Sequence, residues 1–338
     1  MKQKNIILLF LVSIIVCLIV SCGKTGKSSE TNKTETEKIK VALITSVGGL
    51  GDRSFNDAAW HGFQRAEKEL GVEIKVIEPQ AVADYQTSLK AVAGSGYKFV
   101  MAVGNDWADT MKIVAPIYPD IKFAGVNIML NEPNVAVARF SDHEGSFMAG
   151  AIAAMMSKTG TIGFIGGMDV PAINRFYVGY EEGAKYANPS IKVISAYVGS
   201  FNDPGKGKEF SLQLIAQKAD IIFHAAGKTG EGLFNAVKET DGIYAIGVDQ
   251  NQDYIVSGKI LTSMEKRIQI AAYNLIDSVI NNNFRAGDRI YGLKEDGVGL
   301  TEMEYTKALV PPDVTARLND IRAKIISGEI KVTDVFNK

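Results

Sequence analysis

The side chains best suited to chemistry gather in Gly48-Gly-Leu-Gly-Asp-Arg-Ser-Phe-Asn56. Phe55 offers a flat face for stacking, Asn56 carries a donor and an acceptor in one group, and the Asp52 carboxylate can accept hydroxyls. That set suits a stacked base, with or without a sugar, better than it suits bond breaking. The stretch follows the apolar run Lys40–Ser46 and leads into a helical pattern at 57–70. A strand, a glycine turn and a helix start place it at the carboxyl edge of a parallel sheet, where open α/β folds bind ligands. Asn105 and Asp106 stand at the end of a second strand, Phe99–Val103, where they cap a helix or line a cleft.

Strings that imitate enzyme motifs fail on their missing members. Gly227-Lys-Thr229 lacks the phosphate-loop glycine, because Ile222 stands in its place, and Gly26-Lys-Ser28 has Ser21 there. Asp249-x-Asn251-x-Asp253 begins like a calcium loop, but Tyr254 and Ile260 occupy the required glycine and glutamate. The only histidines are His61, His143 and His224, without helical metal spacing. No nucleophile is paired with a base, so the sequence predicts binding without turnover, with no cofactor and no metal.

Among 338 residues, 46% are hydrophobic and the formal net charge is −1, which fits two packed lobes and offers no basic face for nucleic acid. Met1-Lys-Gln-Lys4 precedes the apolar run Ile6–Val20, which is too short to span a bilayer that needs about 20 apolar residues. Residues 1–21 therefore read as a secretory signal. Ile19-Val-Ser-Cys22 matches the lipobox of bacterial lipoproteins, making Cys22 the expected lipid attachment and membrane anchor. Residues 22–38 are polar and without periodicity, as a flexible tether would be, with a span of roughly 20 Å.

From Ile39 onward short apolar runs alternate with longer helical patterns, the signature of βαβ units. The first helix shows apolar or small residues at Ala59, Phe63, Ala66 and Leu70, with Ser54 and Asp57 as its expected cap. A second α/β series starts near Val135 and runs to Val248. A further strand at Lys259–Met264, a helix at Arg267–Ile280 and the glycine-rich Tyr291–Leu300 complicate a simple pair of beads. Return of these elements to the first series would link the lobes by several crossings and make a hinge. The expected boundaries are 39–142 plus 265–300 for the N-terminal lobe and 143–264 plus 301–338 for the C-terminal lobe.

Asp52-Arg-Ser-Phe-Asn56, Glu144-Gly-Ser-Phe147, Ala226-Gly-Lys-Thr-Gly-Glu-Gly232, Gly247-Val-Asp249 and Leu261-Thr-Ser-Met-Glu-Lys-Arg267 occur in one order. In this the chain resembles the basic membrane protein family, lipoprotein substrate-binding proteins of ABC transporters, and within it the purine nucleoside receptor branch. The resemblance implies a class I periplasmic-binding-protein fold: two doubly wound parallel-sheet lobes joined by three crossings, with a hinged ligand cleft. It further implies Phe55 and Phe176 as aromatic faces around a base, Asn56 at the base edge, Asp249 on ribose hydroxyls and Lys266 on base or ribose. Gly227 falls in the matching turn. Two positions depart from the family pattern: Lys228 stands where a glycine is usual, and Asn127 where an aspartate is frequent. Arg175, beside Phe176, either reads a carbonyl on the base or points to solvent. Glu144 is expected to stabilise the positive end of its helix.

The resulting expectation is a lipid-anchored receptor, its oligomeric state open with the monomer favoured, that traps a nucleoside, foremost a purine one, and hands it to an ABC transporter permease. A sugar or other small polar ligand, and a nucleoside-cleaving enzyme, are the rival readings.

Overall fold

Continuous apolar runs such as Val41-Ala-Leu-Ile44 are buried at every residue, as the central strands of a parallel sheet covered on both faces must be. The computed structural model describes residues 38–337. The expected signal segment, Cys22 and all of the tether before Lys38 lie outside the described residues.

In chain order the first lobe runs β1 (Lys40–Ile44), α1 (Phe55–Leu70), β2 (Glu73–Ile77), α2 (Tyr85–Ala93), β3 (Phe99–Ala102), α3 (Ala108–Val114), β4 (Lys122–Val126) and β5 (Val135–Phe140). The second follows with α4 (Asp142–Met156), β6 (Thr161–Gly166), α5 (Pro171–Ala187), β7 (Lys192–Tyr197), α6 (Pro204–Ala216), β8 (Ile221–Ala225), α7 (Glu231–Glu239), β9 (Tyr244–Asp249) and β10 (Ile260–Lys266). The chain then returns through α8 (Ile268–Ile280) and β11 (Gly287–Tyr291), and crosses again to β12 (Val298–Leu300) and α9 (Pro312–Ser327).

The sheets have the orders β11-β5-β4-β3-β1-β2 and β12-β10-β9-β8-β6-β7, so one winding pattern occurs twice. Every ladder is parallel except β10 with β12. The chain passes between the sheets at 140–142, 266–268 and 291–298. Those are the three crossings that make the hinge.

One boundary moves. Residues 265–300 were expected in the first lobe, yet Val298–Leu300 and the end of β10 belong to the second sheet. Lys266 pairs with Val298 and Met264 with Leu300, so β12 covers what would otherwise be an open edge of β10. The glycine-rich segment is thus a crossing, not one element of one lobe. The first helix of the second lobe also starts at Asp142, ahead of the expected Gly145.

Helix α4 is buried around nearly its whole circumference, which only a central helix tolerates. Its backbone touches α5: a Cβ on Gly150 would sit 1.9 Å from the Tyr180 carbonyl oxygen, and one on Gly183 2.0 Å from that of Phe147. Helix α8 packs on α1 in the same manner at Gly62, where a Cβ would meet the Gln269 carbonyl at 2.5 Å.

Candidate functional site

A cleft of about 450 Å³ lies at the carboxyl ends of the parallel strands of both sheets. The volume falls in the range of small-molecule sites, and the position follows the rule for open α/β sheets. All ten of the residues expected at the ligand site border it: Asp52, Phe55, Asn56, Asn105, Asp106 and Asn127 from the first lobe, Phe176, Gly227, Asp249 and Lys266 from the second.

The turn after β1 is built by left-handed residues, Gly49 at φ 65°, Gly51 at 84° and Arg53 at 48°. Its carboxylates act locally. Asp52 accepts the backbone N–H groups of Ser54 (2.9 Å), Asn56 (2.9 Å) and Asp57 (3.2 Å), together with the Asn56 amide nitrogen (3.0 Å). Asp57 accepts from the N–H groups of Gly51 and Arg53, both at 2.8 Å. Asp52 is therefore the cap of α1, a role expected of Ser54, because its carboxylate reaches the free N–H groups of the first turn. Burial raises its pKa against the pull of those donors. The Asn56 carbonyl oxygen accepts from Ser46 N–H at 3.0 Å, which fixes the amide in place.

Ser54, released from capping, donates its hydroxyl to Asp249 of the opposite lobe. Gln250 and Gln252 donate across the same gap to the carbonyls of Ser54 (2.8 Å) and Arg53 (2.9 Å). The lobes are thus tied shut along this edge. Asp249 ends β9 with φ 66° and is nearly buried. Burial pushes its carboxyl up to about 6, against the opposing effects of the Lys266 charge and the Ser54 hydroxyl.

Phe55 is half-buried and Phe176 is 5% exposed. Their rings lie 4.9 and 5.7 Å from the Lys266 ammonium, and Phe140 lies 5.5 Å away. Asp142 forms an ion pair with Lys266 at 3.1 Å. Asn127, at φ 53°, donates to Asp142 at 2.5 Å and accepts from Phe140 N–H at 2.6 Å. The amide thus supplies a donor to Asp142 that an aspartate there could not.

Asn105 and Asp106 are both exposed. Tyr85, stacked on Trp107 at 3.7 Å, donates to Asp106 at 2.8 Å. Gly227, at φ 55°, and Lys228 border the cleft. Arg175 does neither of the things expected of it. It is 4% exposed and holds Asp334, the Phe140 carbonyl and Asp142, since a guanidinium shut away from water must find acceptors. Glu144 stands in the first turn of α4 as expected, and its carboxylate also accepts from Leu293 N–H at 2.8 Å.

Sequence reasoning missed Ser54, Phe140 and Asp142. Asp142 had a usable signal, an acid at the first position of a helix directly after a strand. Ser54 had none, since its hydroxyl partner lies far along the chain.

Two doubly wound lobes with a cleft between their strand ends define a hinged solute-binding protein. The chain belongs to the Bmp family, whose model, described as ABC transporter substrate-binding protein PnrA-like, matches residues 38–335. It is 36% identical to basic membrane protein A of Borreliella burgdorferi, over 98% of this chain and 96% of that one. An uncharacterized lipoprotein of Pyrococcus abyssi is 34% identical, over 91% of this chain and 79% of that one. Among solved structures, an ABC transporter system solute-binding protein from Aeropyrum pernix superimposes with a TM-score of 0.82 at 32% identity, covering 88% of this chain and 93% of that one. The family model and the Aeropyrum pernix structure are those of solute-binding proteins rather than enzymes, in line with the failed catalytic motifs.

Proposed function

We propose that the protein captures a nucleoside, foremost a purine nucleoside, between its lobes and presents it to the permease of an ABC importer. One observation carries this reading: Phe55 and Phe176, from opposite lobes, both stand within 6 Å of the Lys266 ammonium, while the Asp249 carboxylate borders the same cleft. Two rings can grip any purine by its faces, and a carboxylate can take vicinal ribose hydroxyls as charge-assisted hydrogen bonds. A free base would use only the first half of this arrangement and a pentose only the second. Closure around the ligand then supplies the shape that a permease distinguishes from the open form.

The lipobox at Cys22 supports anchoring on the extracytoplasmic side of the membrane, as do relatives that are themselves lipoproteins. Among the described residues no helix is long and apolar enough to cross a membrane.

Calorimetric titration with guanosine, inosine, adenosine, the free bases and pentoses tests the proposal. Nucleosides should bind more tightly than either of their halves. Binding of pentoses without nucleosides would sink it, and release of free base during incubation would restore the enzyme reading.

A further inference from the structure

Lys266 is 3% exposed, so its ammonium has lost nearly all of its water. A cation in that position needs a counter-charge held in place. The three rings around it attract the charge but do not fix its direction, because a ring face is a broad target. A carboxylate concentrates the opposite charge at one point. Asp142 stands 3.1 Å from the ammonium and is itself fully buried.

Asp142 is in turn held from behind. Its second oxygen accepts from Asn127 at 2.5 Å and from Arg175 at 3.4 Å. Arg175 is gripped by the C-terminal segment: its Nε and Nη2 donate to the two oxygens of Asp334 at 2.7 and 2.9 Å, and the Phe336 ring packs 4.8 Å from its guanidinium carbon. Arg175 also donates to the Phe140 carbonyl at 2.9 Å. Charges of alternating sign therefore run Asp334, Arg175, Asp142, Lys266 from the end of the chain to the cleft. The last two sit where the chain crosses between lobes, at 140–142 and 266–268.

We infer that Asp142 is the positioning residue for Lys266, and that the C-terminal segment takes part in ligand binding by holding Asp142 through Arg175 and Asp334. Asp142 and Lys266 both line the cleft, whereas Arg175 and Asp334 do not. The C-terminal segment thus acts from outside the cleft, at the hinge rather than at the ligand. The inference uses the nucleoside reading only for its affinity readout, and the position of Lys266 can be followed with no ligand at all.

The test is brief acetylation of the intact, ligand-free protein with acetic anhydride, with lysine labelling read peptide by peptide. Lys259 is the internal control, since its ammonium donates to the carbonyls of Val237 and Thr240, away from this network. In Asp142→Asn, Lys266 should label about tenfold faster, the size of the coupling between charged groups in contact, with Lys259 unchanged. Asp334→Ala, a change near the end of the chain, should raise Lys266 labelling about threefold by the same reasoning one step removed. Unchanged Lys266 labelling in Asp142→Asn overturns the positioning role; unchanged labelling in Asp334→Ala overturns the part given to the C-terminal segment. Should Asp142→Asn not fold, Asp334→Ala decides alone.

Inosine titration adds a cycle. Asp142→Asn and Lys266→Gln should each weaken binding, and the double variant should match Lys266→Gln within about twofold, as required of a residue whose effect on the ligand passes through the lysine it holds. Losses that multiply would overturn the inference. If the unaltered protein binds no nucleoside, the nucleoside reading fails while the labelling result still decides this one.

Discussion

The hydroxyl of Ser54, at the head of α1 in the first lobe, donates to the carboxylate of Asp249, at the end of β9 in the second. The acceptor that closes the cleft is therefore the one to which the resemblance gives the ribose hydroxyls. Gln250 and Gln252 reinforce the contact by donating to the backbone of the same turn. If Asp249 also takes the ribose, as proposed above, closure and ligand recognition share one side chain, and a change at Ser54 is expected to appear in both.

Ser54→Ala removes a donor to a charged acceptor, a contact worth about 1.5–3 kcal/mol. Nucleoside affinity should fall by about tenfold or more, and small-angle scattering of the ligand-free protein should show a wider average separation of the lobes. Unchanged affinity together with unchanged scattering would mean that the serine plays no part in closure.

Asp249 sets a pH dependence. Its carboxyl is pushed up to about 6, mainly by burial, and the ionised form is the one that accepts hydroxyls. Nucleoside binding should weaken as pH falls through 6 and level off above about 7. His143 and His224, both lowered to about 4 by burial, do not titrate in that window. The sign for stability is the reverse of the common carboxylate case. The folded state holds this proton more tightly than the unfolded chain, so ionisation of Asp249 costs stability above pH 6, and the cost disappears as pH falls towards 4. Asp249→Asn should flatten the binding profile between about pH 5 and pH 8 and stabilise the protein more at the upper end. A profile that survives the substitution would assign the titration elsewhere.

Phe55→Ala separates stacking from sugar recognition. Base–aromatic stacking contributes about 1–3 kcal/mol per base, so purine nucleosides should lose about tenfold to a hundredfold in affinity. Phe55 is only half-buried, so the cost to folding should be smaller than for the more deeply buried Phe176. Calorimetry and thermal unfolding on the same samples check both statements. An equal loss for pentoses would show that the ring shapes the cleft without reading the base.

The α4–α5 contact makes a prediction about stability alone. Alanine is favoured over glycine in a helix by about 1 kcal/mol, which would make Gly150→Ala stabilising on propensity. The Tyr180 carbonyl stands 1.9 Å from where the new carbon must go, and backbone cannot move aside cheaply. We expect a net destabilisation of about 1–3 kcal/mol, as in other overpacked cores, read as a lower midpoint of urea unfolding. A stabilised variant would mean that the two helices can separate at little cost.

What the chain determines by itself is what rests on local rules. Parallel strands buried on both faces must be unbroken apolar runs, so β1, β3, β6 and β8 were legible, and with them the α/β class and its repetition. Strand ends carry glycine turns and helix starts, which is why Phe55 and Asn56 could be picked out locally, whereas Asp249 was indicated only by the family resemblance; all three border one cleft. Tertiary structure decided which polar atoms were already engaged. Asp52 closes on its own helix, Ser54 reaches Asp249 across 195 positions, and Arg175 finds Asp334 across 159. Burial makes these pairings compulsory, because a buried charge must find a partner, but only the three crossings between lobes determine which partner comes within reach. The same crossings assigned Val298–Leu300 to the second sheet, where an unpaired edge rather than any local pattern was waiting for it.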